Sequence, residues 1–561
     1  MNHLTKTGYL FLTILTALLF SCSKEVINPD PGTPTVTLNT ETGEYKVKCS
    51  KSVTLEATVQ NAIKPIYSWK LDGKIISTDL NCLFLGEIMG EYFITFRVDA
   101  ENGSIEKQIK VSVMEKLTPE IDMSSSLLAI IGKETEIKAT VKYADNASYL
   151  WRLDGVIVSE TDTYIHNQSS LGAQTLTLKV TTDDGQDLKV FTINTLPAPL
   201  PELFFDNGHY RVASNIDELR KMTIPLGKSL VLAPVICNIS NPSSFVWTVD
   251  GVVQNESSEF LTFEPTAKGV YLVTVTEQST QAKAIVQVTC TEPEGSFFRP
   301  KTVGSKATAA NAFDYIPAPG QFINYQTGST KTKALQDLQT SLNGGSAPYI
   351  GAYGGYWIVG FDHSVENVTN KADLKISGNA FAGWSEPGIV WVMQDENGNG
   401  LPDDTWYELK GSETGKPETK QRYAITYYKP KNSGADVLWT DNLGRANTVD
   451  YNGYHTQAYY YPMFITEDYY TLVGTCLVSG VFSSGGIVYA KDFPWGYVDN
   501  YNTDPSRKMD EFWLEDAIKA DGSPANLKYI DFVKVHTGMA GKGAAVGEIS
   551  TEPGCPTNLN F

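Results

Sequence analysis

Three segments of the chain repeat one pattern, in which a tryptophan precedes an Asp-Gly pair. They are YSWKLDGKIIS around Trp69, YLWRLDGVIVS around Trp151 and FVWTVDGVVQN around Trp247. Apolar and polar residues alternate through each segment, which predicts a strand whose tryptophan faces inward. The Asp-Gly pair supplies the positive φ angles of a tight hairpin turn. The repeats are spaced by about 80 to 100 residues, the size of one small antiparallel sandwich, so we predict three β-sandwiches in series.

Each copy continues with a second alternating strand. These strands are EYFITFRVDAENG from Glu91, QTLTLKVTTDDG from Gln174 and VYLVTVTEQ from Val270. Together the features resemble PKD-type, immunoglobulin-like domains, which we place at residues 37–116, 117–198 and 199–292. The resemblance implies a spacer or adhesion role. No clustered acid, base or nucleophile in the repeats argues against that role.

The stretch from residue 296 to 561 differs from the repeats, because seven of the ten tryptophans and most tyrosines lie there. Strand candidates begin at Tyr356, Gly388, Thr405, Tyr423 and Tyr529. The best helix signal runs only from Lys333 to Leu342. Many short strands joined by Gly-rich loops predict a larger, jelly-roll-like β-sandwich. We therefore predict an all-β chain in which this C-terminal module follows three tandem Ig-like sandwiches.

The N-terminus reads as a signal peptide, residues 1–21. Lys6 precedes an apolar run from Tyr9 to Phe20 that is too short to span a bilayer. The ending Leu19-Phe20-Ser21-Cys22 resembles a bacterial lipobox. That resemblance implies lipidation of Cys22, which would hold a soluble protein to a membrane through the linker 22–36. The alternative is an ordinary secreted protein in which Cys22 is incidental.

Cysteine spacing and net charge limit the remaining chemistry. An exported chain with six further cysteines can form disulfides, and sequence proximity predicts the pairs Cys49 with Cys82 and Cys237 with Cys290. Cys476 and Cys555 either pair or stay free. Zinc is disfavoured, since no CxxC pair occurs and the chain has only six histidines. A net charge of −19 repels phosphate backbones, so we expect no nucleic acid partner.

The segment DENGNGLPDDTWYEL, from Asp395 to Leu409, has the composition of a calcium loop. Its predicted ligands are Asp395, Asn397, Asn399 and Asp403, and Gly400 permits the sharp turn. The EF-hand pattern fails at its last ligand, where Trp406 stands in place of Glu. We predict a structural Ca²⁺ site. The alternative is a polar turn held by Asn and Asp side chains.

Several runs in the C-terminal module carry a closer resemblance. They are YIPAPGQFIN from Tyr315, GGYWIVGFDHSVEN from Gly354, SEPGIVWVMQDENGNGLPDDTWYELKGSETGKPE from Ser385, HTQAYYYP from His455, and ANLKYIDFVKVHTG with GEISTE from Ala525. They are similar to the C-terminal module of Bacteroidetes cell-surface lipoproteins that follow PKD-like repeats. The resemblance implies capture of a corrinoid, vitamin B12, and its transfer to an outer-membrane transporter. It also implies that the lipid-anchored protein is located at the outer membrane and exposed on the cell surface.

A corrinoid is a nearly neutral disc edged with amides, and tyrosines offer it flat apolar surface and hydrogen bonds. We predict ligand contacts from two aromatic loops, at Tyr451, Tyr454, His455, Tyr459, Tyr460 and Tyr461, and at Trp495, Tyr497, Asn500 and Tyr501. The alternative is that these rings pack the loops onto the sandwich. His455 either coordinates cobalt or is a hydrogen-bonded loop residue. Asp531 and Glu548 either form a second cation site or are solvated carboxylates.

Two other function classes remain open. Sugar rings stack on Trp and Tyr, so the same loops would suit a glycan-binding lipoprotein of a polysaccharide-utilisation system. A glycosidase needs two carboxylates across a cleft, for which Glu386, Asp403, Asp404 and Glu408 are candidates. No GxSxG, HExxH or P-loop pattern occurs. We therefore expect a binding protein and not an enzyme.

Overall fold

The computed structural model describes residues 33–38, 43–123, 126–326, 329–344, 349–453, 455–484, 487–543 and 547–561. The signal peptide, Cys22, most of the linker and Tyr454 lie outside the described residues. Within these ranges the chain is nearly all β, as predicted. None of the described helices is long and apolar enough to cross a membrane. The chain forms two compact units, one ending at Glu115 and the other beginning at Lys116.

The three repeats share one strand order. Their five-stranded sheets run, edge to edge, Glu44–Lys48, Gly103–Met114, Gly90–Ala100, Ile66–Leu71 and Lys74–Ser77; Ser126–Ile130, Gly185–Leu196, Gly172–Thr182, Ser148–Leu153 and Val156–Ser159; and Arg220–Pro225, Lys283–Thr291, Gly269–Glu277, Phe245–Val249 and Val252–Val253. In each sheet the first two strands are parallel and the other neighbours antiparallel.

Two short strand pairs complete each sandwich. They are Thr35–Leu38 with Ala57–Gln60 and Ser52–Leu55 with Cys82–Leu85; Glu120–Ile121 with Val141–Lys142 and Thr135–Lys138 with Thr163–His166; and Glu202–Phe204 with Val235–Cys237 and Leu230–Leu232 with Leu261–Phe263. The same arrangement in all three copies confirms the repeated sandwich that the sequence predicts.

The repeated tryptophans and Asp-Gly pairs do what their pattern predicts. Trp69, Trp151 and Trp247 are completely buried, each in the core of its own repeat. Each indole N–H donates to a backbone carbonyl ten or eleven residues further on. In these three Asp-Gly pairs, which follow the tryptophans, both residues have positive φ, from 48° to 86°, which is the geometry of a tight hairpin turn.

The C-terminal module is built on two larger antiparallel sheets. The six-stranded sheet runs Asn311–Ile316, Tyr356–Glu366, Tyr529–Thr537, Gly388–Met393, Trp406–Leu409 and Ala517–Ile518, and the five-stranded sheet runs Arg211–Val212, Tyr469–Cys476, Lys420–Tyr428, Val437–Asp441 and Ala446–Val449. Smaller sheets contain Glu511–Phe512, Leu374–Lys375 and Thr557–Asn558; Val481–Ser484 and Ile487–Ala490; and Lys542–Gly543 and Gly547–Glu548.

The six-stranded sheet is buried on both faces, which explains why its central strand Tyr529–Thr537 is buried at every position. One face packs against the five-stranded sheet through a core rich in tyrosine. The other face is covered by the helix Lys331–Gly344, which buries Ala334, Leu338 and Leu342 at four-residue spacing. This helix confirms the sequence signal. The remaining helical segments are Ile323–Gln326 and the 3₁₀ turns Ala213–Asn215 and Leu514–Asp516.

The third repeat and the module are joined by a shared β-sheet and by hydrogen bonds between side chains and backbone. Its segment Arg211–Val212 pairs with Tyr469–Cys476 and so supplies the edge strand of the module's five-stranded sheet. Thr223 Oγ1 of the repeat donates to Glu396 of the module at 2.6 Å. The buried Lys534 Nζ donates to the carbonyl oxygen of Gly208 at 2.6 Å. The sheet therefore crosses the boundary that the sequence places between residues 292 and 296.

The structure contradicts both predicted disulfides. All six described cysteines are free thiols, namely Cys49, Cys82, Cys237, Cys290, Cys476 and Cys555. Cys237 packs against Ala424 at the joint with the module, whereas Cys290 lies in the separate core of the third repeat. Cys82 lies in the core of the first repeat, while Cys49 Sγ points to the carbonyl oxygen of Glu87 at 3.3 Å. Neither predicted pair is bonded in the structure.

Candidate functional site

The first aromatic loop opens onto a pocket that we call the Glu548 pocket, with a volume of about 170 Å³. The strands Lys420–Tyr428 and Val437–Asp441 place Tyr427 and Trp439 on its walls. The segment after Ala446–Val449 and the hairpin strand Gly547–Glu548 contribute further lining residues. Its aromatic and polar lining consists of Tyr353, Tyr427, Trp439, Asn447, Thr448, Asp450, Tyr451, Asn452, Lys542 and Glu548.

Glu548 is the most unusual group in this pocket. Its side chain is only 6% exposed. Oε1 accepts the backbone N–H of Gln321 at 2.8 Å, whereas Oε2 has no hydrogen-bond partner among the described residues. Burial raises the pKa of this carboxyl to about 8, against a smaller lowering by the Gln321 N–H. The carboxyl is therefore mainly protonated at pH 7 and has a hydroxyl hydrogen to donate.

An ion pair stands at the rim. Lys542 Nζ contacts both oxygens of Asp450, at 2.7 and 2.8 Å, and Thr448 Oγ1 also donates to Asp450. Tyr451 is held beside them, because its backbone N–H donates to Asp436 at 2.8 Å. The two charges cancel, so the pocket presents aromatic faces, neutral donors and one buried acid. Such a lining suits a small neutral polar group.

The structure brings only part of the first predicted loop to the pocket. Tyr451 lines it, and Tyr459 is exposed but does not. Tyr460 and Tyr461 are buried in the tyrosine-rich core, which contradicts their predicted ligand contacts. The Tyr460 hydroxyl donates to the carbonyl of His455 at 2.9 Å and the Tyr461 hydroxyl to that of Glu467 at 3.1 Å, so both rings hold the loop in place.

His455 fits the loop alternative. Its backbone N–H donates to the carbonyl of Asn452 at 3.0 Å. Its ring lies edge-on to Phe322, with 4.5 Å between ring centroids. The ring is half-buried and does not line the Glu548 pocket. Coordination of cobalt by His455 stays a prediction.

The second predicted loop is mainly structural. Tyr497 and Asn500 are buried, which contradicts their predicted ligand contacts. The Tyr497 hydroxyl accepts the backbone N–H of Glu413 at 2.9 Å. The Asn500 amide bonds both the N–H and the carbonyl of Phe493. Trp495 is covered by the guanidinium of Arg507, at 4.6 Å from the ring, and Tyr501 remains 41% exposed but away from the pocket.

The acidic residues considered as solvated carboxylates are buried. Asp531 accepts hydrogen bonds from Arg299, from Ser364 and from the backbone N–H of Asp395, so it has a structural role. Glu548 lines the pocket instead. Sequence reasoning missed its importance, and it missed Trp439 because that residue stands on a strand without any pattern to distinguish it. No signal in the sequence marks Glu548, because its burial depends on residues far away along the chain.

The candidate calcium loop forms a closed hydrogen-bond network. Asp395 accepts the backbone N–H groups of Gly398 and Gly400. The amide nitrogens of Asn397 and Asn399 donate to Asp403 at 3.0 to 3.1 Å. In the described ranges there is no group of three or more His, Cys, Asp or Glu side chains placed to hold a metal ion. These bonds are those of the polar-turn alternative, while the oxygen-rich donor set still suits calcium.

Calcium binding at this loop is therefore a prediction with a direct test. Adding excess calcium to chelator-treated protein is expected to stabilise the fold by about 2.7 kcal/mol at one hundred times the dissociation constant. Asp403→Ala removes one ligand and is expected to abolish the response, whereas the exposed Asp183→Ala retains it. Thermal unfolding measures both. Identical curves with calcium and with chelator would favour the polar turn.

A second cavity, of about 120 Å³, lies at the joint between the third repeat and the module. Its walls include Met222, Trp391, Trp406, Glu408 and Lys534. The indole N–H groups of Trp391 and Trp406 are buried and have no hydrogen-bond partner among the described residues. None of the residues predicted to contact a ligand lines this cavity, so the Glu548 pocket remains the candidate site.

Comparison with known proteins supports the PKD-like repeats. A PKD-like domain family matches residues 33–100 and 119–182. The first two repeats are therefore PKD-like, and the third has their strand order. No curated protein matches the chain.

Solved structures of modular proteins are similar to parts of the chain. The fibronectin(III)-like modules of Clostridium thermocellum CbhA share 17% identity, covering 29% of this chain and 95% of theirs, with a TM-score of 0.17. The titin fragment I67–I69 shares 13% over 46% of this chain and 97% of its own, with a TM-score of 0.14. Domains 3–5 of Drosophila OTK share 13% over 44% and 94%, with a TM-score of 0.18.

Proposed function

We propose that this chain is a non-catalytic, lipid-anchored surface protein that captures a corrinoid in its C-terminal module and passes it to an outer-membrane transporter. The observation that carries the proposal is the Glu548 pocket. It joins aromatic walls to a neutral acid and an internally compensated ion pair, and so it favours uncharged polar groups over ions. The lipid anchor at Cys22 and the transporter partner come from the sequence resemblances.

The size of the pocket defines how a corrinoid would bind. A volume of about 170 Å³ is below the roughly 300 to 1,000 Å³ typical of pockets that enclose a drug-sized ligand. A corrinoid is larger still, so the macrocycle stays outside. One amide arm enters between Tyr451 and Glu548, and the exposed part of the loop contacts the face of the disc.

Glycan binding is the second candidate, and the same volume supports it. A cavity of this size accommodates about one sugar ring, and Trp439 and Tyr451 offer faces on which such a ring can stack. Asn447, Asn452 and Asp450 supply hydrogen-bonding groups. Under this second candidate, the chain is a glycan-binding surface lipoprotein of a polysaccharide-utilisation system.

Binding measurements on the purified chain test both candidates. Titration calorimetry with cyanocobalamin and with a panel of glycans identifies the ligand class. Tyr451→Ala is expected to weaken binding at least tenfold, about 1.4 kcal/mol, because it removes an aromatic wall of the pocket. The exposed Tyr501→Ala, away from the pocket, is the matched control and is expected to bind as the wild type does.

The outcomes separate the candidates. Binding of cyanocobalamin tighter than about 1 μM, or roughly −8 kcal/mol, that is lost in Tyr451→Ala supports corrinoid capture. Binding of a glycan with the same dependence on Tyr451 supports the second candidate. Equal losses in Tyr451→Ala and Tyr501→Ala would contradict a site at the Glu548 pocket.

A further inference from the structure

In the Glu548 pocket, a group of accessible polar side chains lies beside a tryptophan. Trp439 and Asn447 are Cα partners on neighbouring antiparallel strands, and both line the pocket. Side chains at directly opposite positions share one face of a sheet, with their Cβ atoms about 4.5 to 5.5 Å apart. Asn447 Oδ1 in turn lies 3.4 Å from Lys542 Nζ. A ligand that covers the Trp439 ring is therefore adjacent to the ion pair of Lys542 with Asp450.

The ion pair between Lys542 and Asp450 is within reach of a ligand. Both side chains line the pocket, and 39% and 42% of their surfaces are exposed. Lys542 Nζ contacts the two oxygens of Asp450 at 2.7 and 2.8 Å, whereas its contacts with Thr448 Oγ1 and Asn447 Oδ1 are longer, at 3.3 and 3.4 Å. Hydrogen bonds of the longer kind are weak. The ammonium can therefore turn one hydrogen towards a ligand oxygen and remain paired with Asp450.

Asp450 can accept a further hydrogen bond. In the part of the chain that the structure describes, its oxygens accept two bonds from Lys542 and one from Thr448 Oγ1. A carboxylate has about four acceptor positions. Because the charge of the lysine compensates that of the carboxylate, the pair offers a donor beside an acceptor without a net charge. Such a pair is complementary to a neutral group that also carries a donor beside an acceptor.

We propose that Asp450 and Lys542 together bind one neutral group of the ligand, with Asp450 accepting its N–H or O–H and Lys542 donating to the adjacent oxygen. The inference rests on the proposed function and specifies which ligand group the pocket recognises. A primary carboxamide has this arrangement, since an N–H and the carbonyl oxygen share one edge, and so do adjacent hydroxyls of a sugar ring. A secondary amide does not, because its trans form directs N–H and C=O to opposite sides.

The two groups correspond to the two candidate ligands. The rim of a corrinoid bears primary carboxamides, and one of these can enter a cavity of about 170 Å³ while the macrocycle stays outside. A hexose bears adjacent hydroxyls and can cover the Trp439 ring with its apolar face. Cyanocobalamin and the hexoses glucose, galactose and mannose are therefore the probes, and the probe that binds identifies the source of the group.

A double-mutant cycle, measured by titration calorimetry, tests for direct contact with the ligand. Asp450→Ala and Lys542→Ala are each expected to weaken binding of the probe about tenfold, because hydrogen bonds to charged groups are the stronger ones. The double variant is expected to bind about tenfold more weakly than either single variant, since each residue contacts a different ligand atom. An ion pair that only maintains the shape of the pocket is already broken by either single change, so the double variant would then lose nothing further.

The exposed ion pair of Lys268 with Glu292 in the third repeat provides the matched control. Its charged atoms are 2.6 Å apart, the two side chains are similarly exposed, and neither residue lines the pocket. The combined variant Lys268→Ala with Glu292→Ala is expected to bind as the wild type does. Circular dichroism verifies that every variant is folded.

The outcomes are distinguishable. A double variant that binds more weakly than both single variants supports the inference. A double variant equal to the single ones, or wild-type affinity in either single variant, overturns the inference and leaves ligand capture standing. Loss of all detectable binding in a single variant exceeds the loss of one hydrogen bond and overturns it as well. Failure of the folded wild type to bind cyanocobalamin or any of the hexoses overturns the proposed function and this inference with it.

Discussion

Residues 296–561, expressed without the third repeat, are expected to be strongly destabilised relative to residues 197–561. The shorter fragment lacks Arg211–Val212, which forms the edge strand of the five-stranded sheet. It also lacks Phe204, Val235 and Cys237, which cover Ala424 of the module. Thermal unfolding of the two fragments, followed by circular dichroism, measures the difference. We expect a lower and less cooperative transition for the shorter fragment, or failure to fold.

The expected loss of stability can be estimated from the polar groups of the module that lose their partners when the third repeat is removed. Lys534 loses the Gly208 carbonyl and Glu396 loses the Thr223 hydroxyl. A buried polar group left without its partner costs about 1 to 3 kcal/mol, and more if it is charged. Two such groups and the uncovered apolar surface are expected to lower the free energy of unfolding by several kcal/mol. That free energy is typically about 5 to 15 kcal/mol.

A point variant tests the same contact between the third repeat and the module without changing the length of the chain. Gly208 has φ of 82°, and a Cβ there would lie 2.4 Å from the Trp406 ring. Gly208→Val is therefore expected to open the joint, whereas the exposed Lys221→Ala on the neighbouring strand is expected to leave stability unchanged. A fragment 296–561 that unfolds within a few degrees of 197–561 would show that the joint contributes little.

Local signals account for the parts of the fold that the sequence predicts. The Trp and Asp-Gly pattern specifies a strand and its turn within about ten residues, so the three repeats follow without knowledge of distant contacts. The spacing of Ala334, Leu338 and Leu342 specifies one helix face in the same way. The strand Arg211–Val212 has no such signal, because two residues show no periodicity and its partner Tyr469–Cys476 is far along the chain.

The candidate site also depends on contacts between residues that are far apart in the sequence. A run of tyrosines predicts an aromatic loop but does not tell which rings face inward, so Tyr451 reaches the pocket while Tyr460 fills the core. Glu548 is held by Gln321, 227 residues earlier in the chain. Neither its burial nor its free oxygen can be inferred from the surrounding Gly-Glu-Ile-Ser. Sequence proximity also predicted a disulfide between Cys237 and Cys290, which lie in different cores.

Buried acids also give the module an unusual dependence of stability on pH. Glu408 on the strand Trp406–Leu409 is 5% exposed, and its side-chain partner is the neutral hydroxyl of Thr475. Burial raises the pKa of Glu408 to about 7 from 4.5. No described cation forms an ion pair with it. The folded protein therefore retains the proton over a range in which the unfolded chain has already lost it.

The sign of the effect follows from this difference in bound protons. Below pH 4.5 the acid is protonated in both states, and its contribution to stability is fully present. Between pH 4.5 and about 7 the unfolded state binds fewer protons than the folded state, so the free energy of unfolding falls as pH rises. A difference of this size corresponds to about 3 kcal/mol, at 1.36 kcal/mol for each pKa unit. Above pH 7 the folded protein contains a buried, ionised carboxylate.

Glu408→Gln is expected to remove this fall in the free energy of unfolding at higher pH, because glutamine does not titrate. Its amide oxygen can still accept the hydrogen bond from the Thr475 hydroxyl. Relative to the wild type, the free energy of unfolding of the variant is expected to rise by about 3 kcal/mol between pH 4.5 and pH 8. Denaturant unfolding at a series of pH values measures this difference. The exposed Glu366→Gln provides the control and is expected to follow the wild type throughout. A constant gap between Glu408→Gln and the wild type across that range would show that Glu408 does not retain its proton in the folded state.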